Sequence, residues 1–139
     1  MKIRFKKLSP NAIIPTQATA GSVGFDLVAL EDTIIFTRSL VKTGIALELP
    51  NNMEAQIRSR SGLAMKGVTV ANSPGTIDSD YRGEICVILQ NNTSSVQPVD
   101  KGDKIAQLVF QKREFVELVE VDELDTTLRG DNGLGSSGK

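Results

Sequence analysis

Histidine is absent from all 139 residues. That absence removes the commonest general base, the Ser-His-Asp arrangement and most zinc sites together. Any chemistry must run on carboxylates, hydroxyls, backbone amides and a metal brought in by the ligand. Cysteine is almost as scarce: Cys86 is alone, which excludes an internal disulfide framework and suits a reducing compartment. Its place within an apolar run reads as packing. Neither sign of charge dominates, with 16 basic and 17 acidic residues and a net charge of -1. The chain therefore lacks the electrostatic footprint of a binder of duplex nucleic acid or anionic membrane. Long hydrophobic runs are missing too. Nothing approaches the ~20 apolar residues that span a bilayer, and the opening MKIRFKKLSP is charged without the apolar centre of a signal segment. The expectation is a cytoplasmic protein with no nucleic-acid or membrane partner.

A 3.6-residue apolar repeat is also rare, and what replaces it is a series of short strand-like runs. Met1, Ile3 and Phe5 alternate with Lys2, Arg4 and Lys6, the period-two pattern of a half-buried opening strand that ends at Pro10. Residues 33–36 (TIIF), 41–49 (VKTGIALEL), 53–58 (MEAQIR), 84–89 (EICVIL), 96–99, 104–110 (KIAQLVF) and 115–121 (FVELVEV) continue the series, separated by polar turns. Residues 60–66 (RSGLAMK) are the best candidate for a short helix. A chain of this length fits one domain, and this spacing favours an all-β sandwich, jelly roll or barrel over a βαβ design. From about Asp122 the composition changes, and the closing RGDNGLGSSGK is too rich in glycine and serine to pack a core. The division expected is a β domain over residues 1–121 and a mobile arm and glycine-rich tail over 122–139. Residues 133–139 superficially match a phosphate-loop pattern, yet no Ser/Thr or helix follows the lysine and no buried strand directly precedes the run.

Residues 72–84, NSPGTIDSDYRGE, concentrate turn chemistry, a carboxylate and an aromatic. They read as a β-hairpin whose tip holds Asp78 and Tyr81. A fixed carboxylate there can serve as a general base, and the ring can pack on a flat or sugar-like ligand; taken alone, Asp78 and Asp80 are equally well read as turn caps. Residues 58–62 (RSRSG) offer guanidinium forks, hydroxyls and glycine-exposed amides suited to phosphate oxygens. Gln107 interrupts an apolar strand, and a buried amide requires partners. Asp26, flanked by Phe25, Leu27 and Val28, also requires a partner, because burying an unpaired charge is costly.

In order, AGSVGFDL, RSGLA, NSPGTIDSDYRGE, GDKIAQL and RGDNGLGSSG resemble the five ordered motifs of the dUTP pyrophosphatase (dUTPase) family, from about Ala20 to Gly138. The resemblance implies a jelly-roll-like β-barrel, assembled as a homotrimer with active sites at subunit interfaces. It implies hydrolysis of dUTP to dUMP and pyrophosphate, with Mg2+ carried on the triphosphate. In that reading Asp78 matches the base that deprotonates the attacking water. Asn72 and the backbone around Thr76, Ile77 and Cys86 match the positions that bind uracil, and Tyr81 the aromatic under the deoxyribose. Arg60, Ser61, Gly62 and Gln107 match phosphate contacts, and Asp26 an acidic residue near the metal's water shell. Arg129, Leu134, Gly135 and Ser136 fall in the tail that closes over the nucleotide.

Elementary chemistry agrees with that transfer. Phosphoryl chemistry needs positioning and charge neutralisation more than covalent catalysis, so arginines, amides and Mg2+ suffice beside one base. One departure stands out: the family's tail usually carries phenylalanine where this chain has Leu134. Stacking a base on an aromatic is worth ~1–3 kcal/mol, so leucine implies weaker tail closure. The related dCTP deaminases share the jelly roll but differ in the hairpin and tail. A nucleotide-binding module without turnover is the alternative of a different class, and the presence of Asp78 weighs against it.

Overall fold

The computed structural model describes residues 2–133, and they form an all-β domain with one short helix. In chain order the first elements are β1 (Arg4–Lys7), β2 (Phe25–Val28), β3 (Thr33–Ile35), β4 (Arg38–Lys42), β5 (Ile45–Glu48) and β6 (Met53–Arg58). The helix α1 (Ser61–Met65) follows, then β7 (Val68–Val70), β8 (Gly75–Ile77), β9 (Cys86–Asn91), β10 (Gln97–Val99) and β11 (Lys104–Lys112). The strands pair antiparallel in the orders β2-β11-β6-β8 and β4-β9-β7, with two smaller pairs, β1-β5 and β3-β10. All contribute to the jelly roll expected from the strand spacing.

Alternation builds the core. Along β6, Met53, Ala55 and Ile57 point inward while Glu54, Gln56 and Arg58 do not; along β9, Val87, Leu89 and Asn91 are the buried set. Leu27, Ile35, Val41, Ile45, Val87 and Leu108, each from a different strand, meet in one apolar cluster. Burying side chains of this size contributes about 1.5–3 kcal/mol each. Asn91 is the polar member of that interior, and its Nδ2 donates to the carbonyl oxygens of Ile35, Phe36 and Ser95, so its burial carries no unpaired donor.

Four readings need correction. The run 41–49 is two strands, because Gly44 adopts φ +70°, a conformation that turns the chain between β4 and β5. Residues 75–91 are not a hairpin: β8 pairs with β6, while β9 pairs with β4 and β7 in another sheet. The sequence between them therefore bridges two sheets. Residues 115–121 form no strand, and Phe115, Val116, Leu118, Val119 and Val121 lie exposed, since an extended apolar segment needs a neighbour to pair with. The opening strand does form at Arg4–Lys7 but is exposed throughout rather than half-buried; Met1 lies outside the described residues. The predicted helix at 60–66 appears as α1 with Arg60 at its N-cap. No described helix is long and apolar enough to cross a membrane.

Candidate functional site

Two clusters gather most of the singled-out side chains. The first is built on β2, β11 and the start of α1. Asp26 is only 3% exposed, and its Oδ2 lies 2.8 Å from Lys104 Nζ while its Oδ1 lies 3.3 Å from Arg60 Nε. Arg60 Nη1 also donates to the Lys104 carbonyl oxygen at 2.8 Å. The expectation that Asp26 has a partner holds, and there are two.

Lys104 reaches Asp26 because of a register shift. Gln107 lies opposite Asp26 and Ala106 opposite Leu27, but Lys104, not Ile105, lies opposite Val28. The extra residue leaves Ile105 in the core and returns Lys104 to the face that Asp26 shares. Gln107 stands on this face half-buried rather than buried, its side chain across Gly24, where an added Cβ would lie 3.1 Å from Gln107 Cβ. Ser61 and Gly62 open α1 and are exposed.

The strap between the clusters is tied by serines. Ser59 Oγ accepts from Val70 N at 2.8 Å, and Ser59 N donates to Ser73 Oγ at 3.4 Å. Asn72 lies against Gly75, where a Cβ would come within 3.0 Å of Asn72 Nδ2. Only glycine lets the amide rest there.

The second cluster is a groove of about 330 Å3 lined by Thr76, Ile77, Asp78, Tyr81, Glu84 and Cys86, with Leu40 and Ile88. β8 is the edge strand of its sheet, so peptide groups on its outer side are open to a ligand that pairs like a strand. Asp78 follows β8 directly and also borders a polar recess shared with Glu54, Ser79, Asp80 and Arg113. An exposed carboxylate at the meeting of two recesses has access to both ligand and water. Its main-chain oxygen accepts from Tyr81 N at 3.2 Å, which fixes the turn. Cys86 is free and half-buried; burial, with the neighbouring Glu84 carboxylate adding, pushes its thiol pKa up. A neutral thiol suits a groove wall better than a nucleophile's role.

The two clusters remain separate within one chain: no single recess is lined by both Asp78 and the Asp26–Arg60–Lys104 group. Arg129 joins neither. Its Nε donates to the Asn132 carbonyl oxygen at 2.9 Å inside its own turn. Leu134, Gly135 and Ser136 lie outside the described residues. Among the described residues no three His, Cys, Asp or Glu side chains converge as a metal site. Lys104 and Glu84 are site members that the reading by motif missed; Lys104 was signalled only by its nearness to Gln107, and Glu84 by the turn it closes.

Comparison with known proteins converges on one family. A dUTPase family model matches residues 10–138. Deoxyuridine 5'-triphosphate nucleotidohydrolase from Wolinella succinogenes is 54% identical, covering 100% of this chain and 95% of its own. The protein of the same name from Hydrogenobaculum sp. is 54% identical over 99% of both chains. Among solved structures, Staphylococcus bacteriophage 80alpha dUTPase with dUPNHPP superposes with a TM-score of 0.87 at 25% identity, covering 99% of both chains. A phage phi11 dUTPase from S. aureus, described with a structural Mg(II) ion, has a TM-score of 0.81 at 22% identity, covering 91% of this chain and 100% of its own. The chain belongs to the dUTPase family.

Proposed function

We propose that this chain hydrolyses dUTP to dUMP and pyrophosphate, limiting uracil incorporation into DNA and supplying dUMP for thymidylate synthesis. The observation that carries the reading is Asp78, held by the turn after β8 at the rim of the groove that Tyr81, Thr76, Ile77 and Cys86 also line. Uracil pairs with the open peptide groups near Thr76, Ile77 and Cys86, and Asn72 supports that segment. Cytosine would reverse the pattern at its exocyclic group and leave buried groups unpaired, which gives strong discrimination. Tyr81 packs against the deoxyribose and excludes a 2'-hydroxyl by shape.

Asp78 takes a proton from a water molecule. The resulting hydroxide attacks the α-phosphorus, the bond from that phosphorus to the bridging oxygen breaks, and pyrophosphate leaves with the bonding pair. Arg60, Ser61, Gly62 and Gln107 bind phosphate oxygens, with the Arg60 guanidinium held in place by Asp26. Mg2+ would neutralise the triphosphate's charge; the absence of a carboxylate cage among the described residues suits a metal that arrives with the nucleotide. Asp26 would meet it only through water, using lone pairs that Arg60 and Lys104 leave. Arg129, Leu134, Gly135 and Ser136 close over the nucleotide as part of the arm and tail of residues 122–139, while residues 1–121 form the β domain.

The homotrimer belongs to the same proposal. Two observations support it: the separation of the groove from the phosphate-type cluster within one chain, and the apolar arm after Arg113 left in water. The protein is proposed to work in the cytoplasm. The test is pyrophosphate release from dUTP, dTTP, dCTP and UTP with Mg2+. Release from dUTP alone is expected; equal release from all four would refute the specificity, and ammonia from dCTP would point to deamination.

A further inference from the structure

Tyr81 is 45% exposed, and a ring that open to water samples several rotamers unless something holds it. Its hydroxyl donates to the main-chain oxygen of Glu84 at 3.1 Å. The carboxylate of that residue turns the other way: Glu84 Oε1 accepts the Gly44 N–H at 2.7 Å, in the turn between β4 and β5. Next along the chain, Ile85 N donates to the Ile45 carbonyl oxygen at 2.8 Å, and the buried Thr43 hydroxyl donates to the Ile85 carbonyl oxygen at 2.6 Å. The ring also lies across Gly83, where an added Cβ would overlap it. From these contacts we infer that Glu84 is a positioning residue for substrate selectivity: its carboxylate fastens the carbonyl that holds Tyr81 to the rigid β4–β5 turn.

This inference rests on the reading of Tyr81 as the ring that judges the sugar. Glu84 touches neither the α-phosphorus nor the attacking water in that reading. Its contribution is to fix where the ring stands, and a charge-assisted bond to a backbone N–H is stronger than a neutral one. A ring set free would still pack on a deoxyribose but would yield to a 2'-hydroxyl.

The chain offers a readout independent of turnover. It has no tryptophan and Tyr81 is its one tyrosine, so intrinsic emission near 300 nm comes from this ring alone. The experiment compares wild type, Glu84→Ala and Glu84→Gln by tyrosine anisotropy and by kcat and KM for dUTP and UTP. Glu84→Ala is expected to lower the anisotropy and to cut the dUTP over UTP preference about tenfold, the effect of one lost hydrogen bond of ~1.4 kcal/mol, with KM moving more than kcat. Glu84→Gln keeps an acceptor for Gly44 N–H and is expected to restore both. Wild-type anisotropy and selectivity in Glu84→Ala would overturn the inference, as would equal loss in the two variants. Should Glu84→Ala not fold, Tyr81→Phe breaks the ring's own bond to the Glu84 carbonyl, and unchanged selectivity there would overturn it. A wild-type protein that leaves dUTP intact would refute the proposed activity, while the anisotropy series would still judge the tether.

Discussion

Asp26 holds two cations from a position nearly closed to water. A carboxylate in such a place is stable only with its partners, because desolvation of the charge must be offset by attraction and hydrogen bonding. Arg60 and Lys104 are themselves partly exposed, with side-chain exposures of 32% and 47%, so solvent screens part of the gain. Asp26→Ala is therefore expected to cost about 1–3 kcal/mol, with two cations left side by side. Urea unfolding would show a lower midpoint at unchanged slope; an unchanged midpoint would mean that the pair contributes nothing to the fold. The need for a partner was legible from the apolar neighbours of Asp26. Its identity was not, because Lys104 reaches Asp26 through a one-residue register shift that no local pattern encodes. Glu84 shows the same limit: its distance from Gly44 in the chain hides the 2.7 Å contact between them.

At the scale of elements, strands with alternating burial were the most readable, as β6 and β9 show. The region around Asp78 was harder. Turn residues announced a reversal, but which strand each flank pairs with depends on the whole sheet order, and β8 found β6 instead of β9. The segment 115–121 has the composition of a strand and no partner within its own chain. Arg113 Nε donates to the Asn51 carbonyl oxygen at 2.8 Å, and its guanidinium stacks on Phe115 at 4.5 Å; beyond that anchor Val116, Leu118, Val119, Leu124 and Leu128 face water. An apolar groove of about 380 Å3, lined by Phe5, Ile14, Phe25, Leu47, Leu108 and Phe110 among others, is open as well. Contiguous apolar surface of this kind marks an association site. Sedimentation of the full chain is expected to give a trimer, and truncation after Lys112 smaller, inactive species; a fully active monomer would contradict the assembly.

For the whole molecule, the fold explains how an enzyme manages without histidine. One short-looped β domain sets an open sheet edge, a fixed aromatic and an exposed carboxylate around one groove, and ties an arginine to a buried aspartate elsewhere on the surface. Positioning and charge neutralisation then carry the reaction, as phosphoryl transfer permits. The central claim is that Asp78 is the base and not a turn cap. The most direct test is Asp78→Asn, measured for dUTP hydrolysis and, by calorimetric titration, for binding of a non-hydrolysable dUTP analogue with Mg2+. Loss of a general base typically costs about 10²–10⁴-fold in rate. The account predicts a fall of that size with binding and thermal stability retained, whereas near-wild-type turnover in the variant would contradict it.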